Sequence, residues 1–168
     1  MDHDALRTIQ GPLKARYRED ADAALVTLRA DGTLDASDVA CAVSTGRALV
    51  AAGLHPATGG DGSLVCSGDM LLQALVACAG VTLRSVATSL ELTVTGTIRA
   101  EGDLDFRGTL GVDKEAPVGF REIRLLFDLE SEDAEEQLDT LLRLTERYCV
   151  VYQTLVSSPS LTMTWDRA

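Results

Sequence analysis

From Met70 to Leu83 the chain runs fourteen residues in which Gln73 and Thr82 are the only polar side chains, and Arg84 closes the run. A segment so apolar must be buried in protein or in lipid. Fourteen residues fall short of the ~20 that a bilayer span requires, so the run predicts a helix at the centre of a folded core. Ser67, Gly68 and Asp69 precede it with capping oxygens, which sets the expected helix at about Asp69 to Ser89. The remaining elements have to wrap around that helix. With 168 residues, 46% hydrophobic and 24% charged, the chain is large enough to do so as a single domain. Folded chains of this length bury on the order of 70% of their unfolded surface, so neither a disulfide nor a structural metal is needed for stability.

On either side of the helix the pattern changes to that of strands. Leu13–Tyr17, Ala24–Leu28 and Val39–Val43 are short strand-like runs, with Asp31-Gly32 as a hairpin-type turn, and together they predict a small antiparallel sheet. Gly53, Pro56 and Gly59-Gly60-Asp61-Gly62 form a loop; a phosphate cradle would need a preceding strand and a following Lys-Ser/Thr, and the sequence offers neither. Beyond the helix, Leu92, Val94, Ile98 and Ala100 alternate with polar residues. Glu101-Gly102-Asp103 is expected to turn, Leu104, Phe106 and Leu110 to return, and Ile123, Leu125, Phe127 and Leu129 to form a third strand. Asp133 to Glu136 gives a D-x-x-E start to a second helix, whose stripe Leu138, Leu141, Leu142, Thr145, Tyr148 and Cys149 places Cys149 on the buried face or at its end. Leu161, Met163 and Trp165 alternate with threonines and predict an edge strand. Strands and helices segregate without a βαβ repeat, which makes the class α+β. An N-terminal strand region, 1–62, precedes a helix and strand core, 63–168.

Charge and cysteine usage narrow the function. Fifteen basic against 26 acidic residues give a net charge of −11, which repels phosphate backbones and anionic membranes, so neither nucleic acid nor membrane is an expected partner. The first residues lack the basic start and apolar core of a secretory signal, and a cytoplasmic location is expected. Cys41, Cys66, Cys78 and Cys149 contain no C-x-x-C pair, and His3 and His55 complete no zinc spacing, so no metal is expected. Free cysteines in a reducing compartment are ordinarily small buried hydrophobes, and Cys41, between Val39 and Val43, is read as core. His55 in its loop is read as solvated, and Trp165 as core or interface packing.

Cys78 ends the small-residue run Ala74-Leu75-Val76-Ala77-Cys78, and Cys149 stands in Tyr148-Cys149-Val150-Val151 near the end of the second helix. With the Gly59-Gly60 loop, the Asp69-Met70-Leu71-Leu72 helix start and the link from Pro117 to Ile123, this layout resembles the OsmC/Ohr family of thiol peroxidases. The resemblance implies an OsmC-like fold, with antiparallel sheets around a long buried central helix, a second helix, and an intertwined homodimer. It also implies two-cysteine reduction of organic hydroperoxides in oxidative stress defence. Cys78 would be the peroxidatic thiolate and Cys149 the resolving thiol, and an external dithiol would open the resulting disulfide without a bound cofactor.

Family members lower the pKa of the first cysteine with an arginine held by a carboxylate. Arg18, Arg47 and Arg107 are all candidates for the arginine. Asp69 is the nearest match to the carboxylate; nine residues advance about 13.5 Å along a helix and turn about 900°, which sets it on the face opposite Cys78. Its alternative role is a helix cap that complements the dipole. Val150 stands where many members carry a proline that favours a helix restart. Cys66 is a candidate alternative resolving thiol. An apolar pocket lined by residues such as Leu71, Leu75 and Tyr148 would suit alkyl hydroperoxides. The competing function is a module on the same fold that binds an apolar ligand or senses redox state without turnover.

Overall fold

The computed structural model describes residues 2–5, 7–8, 10–11, 19, 31–34, 40–44, 49–111 and 113–167. The runs Leu13–Tyr17 and Ala24–Leu28, and Arg18 and Arg47, lie outside these.

Residues 3–5, 7–8 and 10–11 are helical, and a four-stranded sheet follows in the order β1 (Asp31–Leu34), β2 (Ala40–Ser44), β3 (Leu49–Gly53) and β4 (Val65–Cys66). β1, β2 and β3 pair antiparallel, while β4 returns parallel to β3 through Ala52–Val65 and Gly53–Cys66. Asp31-Gly32 is therefore part of a strand paired with Val43 and Ser44 rather than a hairpin turn. The β3–β4 connection carries the glycine loop. His55 caps a 3₁₀ turn, Pro56–Thr58, by accepting the Ala57 N–H at Nδ1 (3.0 Å), and its ring stacks on Phe106 with centroids 4.8 Å apart. This histidine is packed and bonded, not solvated as expected. Gly60 is required by close approach, since a Cβ there would meet the Leu54 carbonyl oxygen at 1.9 Å.

Helix α1 spans Ser67–Ser89, two residues longer at its start than expected, because Cys66 rather than Ser67 takes the extended N-cap conformation. Its 23 residues are long and apolar enough to cross a membrane by length and composition. It packs as a core helix instead, against β4, β5 and the two helices that follow. Leu75, Ala79, Leu83 and Ala87 are its buried residues, a strict i, i+4 ridge in which two alanines allow close approach. Val86 and Cys78 are partly buried against the same core, while Val81 is 73% exposed.

The expected three-strand meander is a two-stranded hairpin. β5 (Thr95–Leu104) pairs antiparallel with β6 (Phe120–Glu130), and Glu101-Gly102-Asp103 continues β5, opposite Arg124, Ile123 and Glu122. Gly102 serves the packing: a Cβ there would lie 2.5 Å from the Phe120 ring. Phe106–Thr109 form one helical turn, not a returning strand, capped by Asp105. Strand alternation cannot distinguish these outcomes, because the short apolar spacing of Leu104, Phe106 and Leu110 fits either period.

Helix α2 (Glu135–Tyr148) starts one residue later than the D-x-x-E pattern implied. Ala134 is its N-cap and donates its N–H to Gln137 Oε1 (3.2 Å), while Asp133 accepts from the Thr93 N–H (2.9 Å) and the Ser131 hydroxyl (2.9 Å), tying the helix start to the α1–β5 connection. Leu141 and Thr145 are its buried positions. Leu141 completes one core cluster with Leu83, Ala87, Leu92 and Val94; a second forms around Leu75, Ala79 and Cys149. Helix α3 (Val150–Val156) follows directly. Residues 158–167 pair with no strand: Leu161, Met163 and Trp165 are 89%, 98% and 81% exposed, so the expected edge strand does not form within one chain.

Candidate functional site

The break between α2 and α3 builds the site. Cys149 ends one helix and caps the next, with φ −72° and ψ 108°, and it does so without the proline or glycine that usually marks such a junction. The polar groups freed by the break are satisfied locally. Cys149 N–H donates to the Thr145 carbonyl (2.9 Å), its own carbonyl accepts from Gln153 N–H (2.9 Å), and the Gln153 side chain caps the Glu146 carbonyl (2.9 Å). Tyr152 adds a hydroxyl bond to Glu146 Oε1 at 3.2 Å. Val150 thus begins a helix where the sequence lacks proline, because these bonds hold the restart.

The same break brings the two cysteines together. Cys149 is 1% exposed and packs with Leu75 and Ala79, while Cys78, half-buried, lies against that cluster beside Ile123, Val151 and Leu155. Their thiols differ. Burial pushes the Cys78 thiol up, but the backbone N–H of Val151, the Cys149 thiol, the Val150 N–H and the Thr82 hydroxyl together bring it below its ordinary 9.0. Cys149 moves the other way: burial raises it, and the neighbouring Cys78 sulfur raises it further by accepting its proton in a hydrogen bond, against opposing N–H groups of Tyr152 and Val151. Of the two thiols, Cys78 is therefore the one more readily ionised, with Cys149 as its neighbour and proton-bearing partner. Val150 and Val151 occupy the first turn of α3, whose N–H groups have no partner within the helix, and they point their hydrogen-bonding capacity at the sulfur.

Among the described residues no cation figures in the groups that set Cys78. Arg107 is 61% exposed and is held by Asp105 (2.6 Å) and Asp113 (3.2 Å). Asp69 sits in the first turn of α1, exposed, lining a separate groove with Gly62, Ser63, Gln73 and Val76, so the structure does not bring it to the cysteines. Cys66 caps the start of α1, about 18 Å along the helix from Cys78, too far to resolve it without unwinding. Among the described residues no cluster of His, Cys, Asp and Glu could hold a metal ion. Tyr148 lines a groove with Val81 and Leu90, away from the one that holds Leu71 and Leu75. The residues that sequence reasoning missed are Thr82, one turn beyond Cys78, and the amides of Val150 and Val151. Backbone donors leave no mark in the residue types, although the i+4 spacing of Thr82 was readable.

Residues 60–164 match the family model described as OsmC-like protein. The chain belongs to that family. No curated protein matches the chain in sequence. Among solved structures, an OsmC-like protein from Mycoplasma pneumoniae is 19% identical, with a TM-score of 0.65 over 79% of this chain and 89% of its own. An organic hydroperoxide resistance protein from Elizabethkingia anophelis is 14% identical, with a TM-score of 0.63 over 80% and 91%. An OsmC-like protein of unknown function from Vibrio cholerae gives 15%, 0.60, 77% and 94%. These likenesses share the fold; the chemistry has to come from this chain's own residues.

Proposed function

We propose that this OsmC-like protein is a cysteine-based thiol peroxidase that reduces organic hydroperoxides. The observation that carries the reading is the asymmetry of a packed thiol pair: neighbouring donors lower the Cys78 thiol below its ordinary value, while burial and Cys78 raise the adjoining Cys149. Cys78 attacks the terminal oxygen of the hydroperoxide and the O–O bond breaks. The departing alkoxide takes the Cys149 proton, leaving an alcohol, a Cys78 sulfenic acid and a Cys149 thiolate. Cys149 then attacks the Cys78 sulfur and expels hydroxide, which becomes water on protonation, and the two sulfurs form a disulfide. An external dithiol returns both to thiols by two exchanges.

The groove of about 510 Å³ between α1, β6 and α3 offers apolar walls for a substrate; Arg121 and Glu122 also line it, Cys78 does not, and it shares Leu75, Ile123 and Leu155 with the cluster that Cys78 packs against. The protein works as a homodimer in this reading. Support comes from the apolar face of α1 around Val81, the exposed Val150 and the alternating tail Leu161, Met163 and Trp165, all of which gain by burial against a second copy. The free thiols suit a reducing compartment such as the cytoplasm. A non-catalytic ligand-binding or redox-sensing role would suit a Cys78 surrounded by methyl groups alone, and the donors around it favour turnover instead.

The test is consumption of cumene hydroperoxide with dihydrolipoamide as donor, in the wild type, Cys78→Ser and Cys149→Ser. Turnover abolished by Cys78→Ser is expected, with Cys149→Ser reacting once and then stalling or overoxidising. A wild-type rate no faster than free thiol refutes the peroxidase reading.

A further inference from the structure

Two charged residues, Arg121 and Glu122, line the apolar groove of about 510 Å³, and only one of them is already paired. Glu122 is bound by Arg124 at 3.3 Å, while Arg107 is taken up by Asp105 and Asp113. Arg121 forms no ion pair among the described residues. The strand sets it apart as well. Asp103 faces Glu122 and Leu104 faces Phe120, so Arg121 is an extra residue on β6 with no partner on β5, a bulge of the kind that re-aims a side chain. Its field reaches Asp103 and Asp105, but those carboxyls are held down chiefly by their hydrogen bonds to Arg124 and Arg107. The groove runs from this bulge toward the reacting thiol. Leu75, Ile123 and Leu155 line it and also pack around Cys78. At the other end the Phe120 ring stands against Gly68, 3.4 Å from where a Cβ would lie, and from Gly68 to Cys78 helix α1 rises about 15 Å.

We propose that Arg121 is a specificity-determining residue: it pairs with an anionic group at the far end of the hydroperoxide, so that the protein prefers a chain bearing a carboxylate about 15 Å from the peroxide over the uncharged ester of the same chain. This role rests on the peroxidase reading and adds a charge and a length to it. An extended chain advances about 1.2 Å per bond, a third of the peptide repeat, so roughly twelve bonds separate the two groups. The apolar walls bury the chain between them equally in acid and ester, and only the carboxylate tells the two apart. A net charge of −11 repels an anion everywhere else on the surface; at this mouth Arg124 offsets Glu122 and leaves Arg121 to attract it. Arg121 is exposed, so the pair is screened and the preference small, roughly threefold at low salt. The pairing is the same before and during O–O cleavage, which puts the effect in KM rather than in kcat.

The experiment measures turnover of the 13-hydroperoxide of linoleic acid, its methyl ester and the 9-hydroperoxide acid, all below their micellar concentrations, with dihydrolipoamide as donor. In the wild type the 13-hydroperoxide acid is expected to have a KM roughly threefold below that of its ester, and the difference should vanish at high salt. The 9-hydroperoxide, with its carboxylate nearer the peroxide, should lose most of the preference. Arg121→Gln should bring the acid-to-ester ratio to one, and Arg121→Lys should restore part of it. Arg99→Gln removes the same charge from an exposed position on β5 and should leave the ratio unchanged. Each ratio is taken within one protein, so partial unfolding of a variant does not imitate the result. An ester preferred to the acid in the wild type, a preference that survives Arg121→Gln, or one that falls equally in Arg99→Gln overturns the proposal. Equal preference for the 9- and 13-hydroperoxides overturns the length assigned to the groove. If the wild type consumes none of these hydroperoxides, the peroxidase reading fails, and calorimetric binding of the 13-hydroxy acid and its methyl ester then decides the role of Arg121. Tighter binding of the acid, lost in Arg121→Gln, sustains the charge recognition; equal binding overturns it.

Discussion

Removing the Cys149 thiol should raise the pKa of Cys78, and the structure sets the size of the effect. Burial already pushes Cys78 up, and four donors bring it below 9.0, with the Cys149 S–H second among them after the Val151 N–H. A hydrogen bond to a charged acceptor contributes about 1.5–3 kcal/mol, and S–H is a weak donor, so the lower end applies. Losing about 1.5 kcal/mol of thiolate stabilisation raises the Cys78 pKa and should slow its alkylation about tenfold at a fixed pH below 9.0 in Cys149→Ala. Cys149→Ser keeps a hydroxyl donor in the same place and should restore most of the shift. The assay is the pH profile of iodoacetamide alkylation, followed by mass spectrometry on the Cys78 peptide so that the other cysteines do not interfere. A lowered thiol pKa stabilises the folded state fully above 9.0 and progressively loses that contribution as pH falls through the folded value. Stability should therefore rise with pH across this window, over a narrower range in Cys149→Ala than in Cys149→Ser. An unchanged or lower Cys78 pKa in the alanine variant, or a wild type in which Cys149 alkylates at lower pH than Cys78, would refute the reasoning.

Val150→Pro is compatible with the extended conformation of Cys149 before it and with the exposed first position of α3, so it should stabilise the fold by about 0.4–1 kcal/mol in a chemical melt. The same change deletes one N–H donor to Cys78, and its alkylation profile should move to higher pH. Leu141→Ala opens a cavity beside Leu83, Ala87 and Val94 and should cost about 2–5 kcal/mol, a fall in Tm of roughly 4–20 °C by calorimetry. Arg107 holds the Asp105 carboxyl down at about 2 by hydrogen bonding. The stability this adds is complete above the ordinary 3.8 and is lost as pH falls toward 2, so Arg107→Ala should return the Asp105 titration, read by NMR, toward 3.8 and flatten the acid limb of the stability profile.

Much of the fold was legible because the decisive patterns are long. The apolar run of α1 and the 3.6-residue stripe of α2 each extend over several turns, and only a helix accommodates them. Shorter signals misled. Glu101-Gly102-Asp103 has the composition of a turn, yet Gly102 lies within β5 because the Phe120 ring occupies the place of its missing side chain. Asp133 has the composition of a cap, yet its carboxylate bonds Thr93, forty residues away. The tail alternation is real, but residues 158–167 pair with none of the described strands. A sequence pattern records which face an element presents; it does not record what lies opposite.

The site shows the same limit at the level of chemistry. Activation of a buried cysteine requires something positive near the sulfur, and a search by residue type looks for arginine, which leaves Arg18, Arg47 and Arg107 as candidates. Around Cys78 the described structure supplies the partial positive charge of amides instead. That choice follows from the fold, since ending α2 at Cys149 and starting α3 at Val150 frees first-turn donors that have no acceptor within the helix. One break in a helix therefore places the second thiol, orients the donors and lowers the first thiol, with Gln153 and Tyr152 closing the carbonyl and carboxylate of Glu146 behind it. Because two of the four donors belong to the backbone, no single side-chain substitution removes them all. Among the described residues, loss of the helix break is the change that would take the Val150 and Val151 donors away from Cys78.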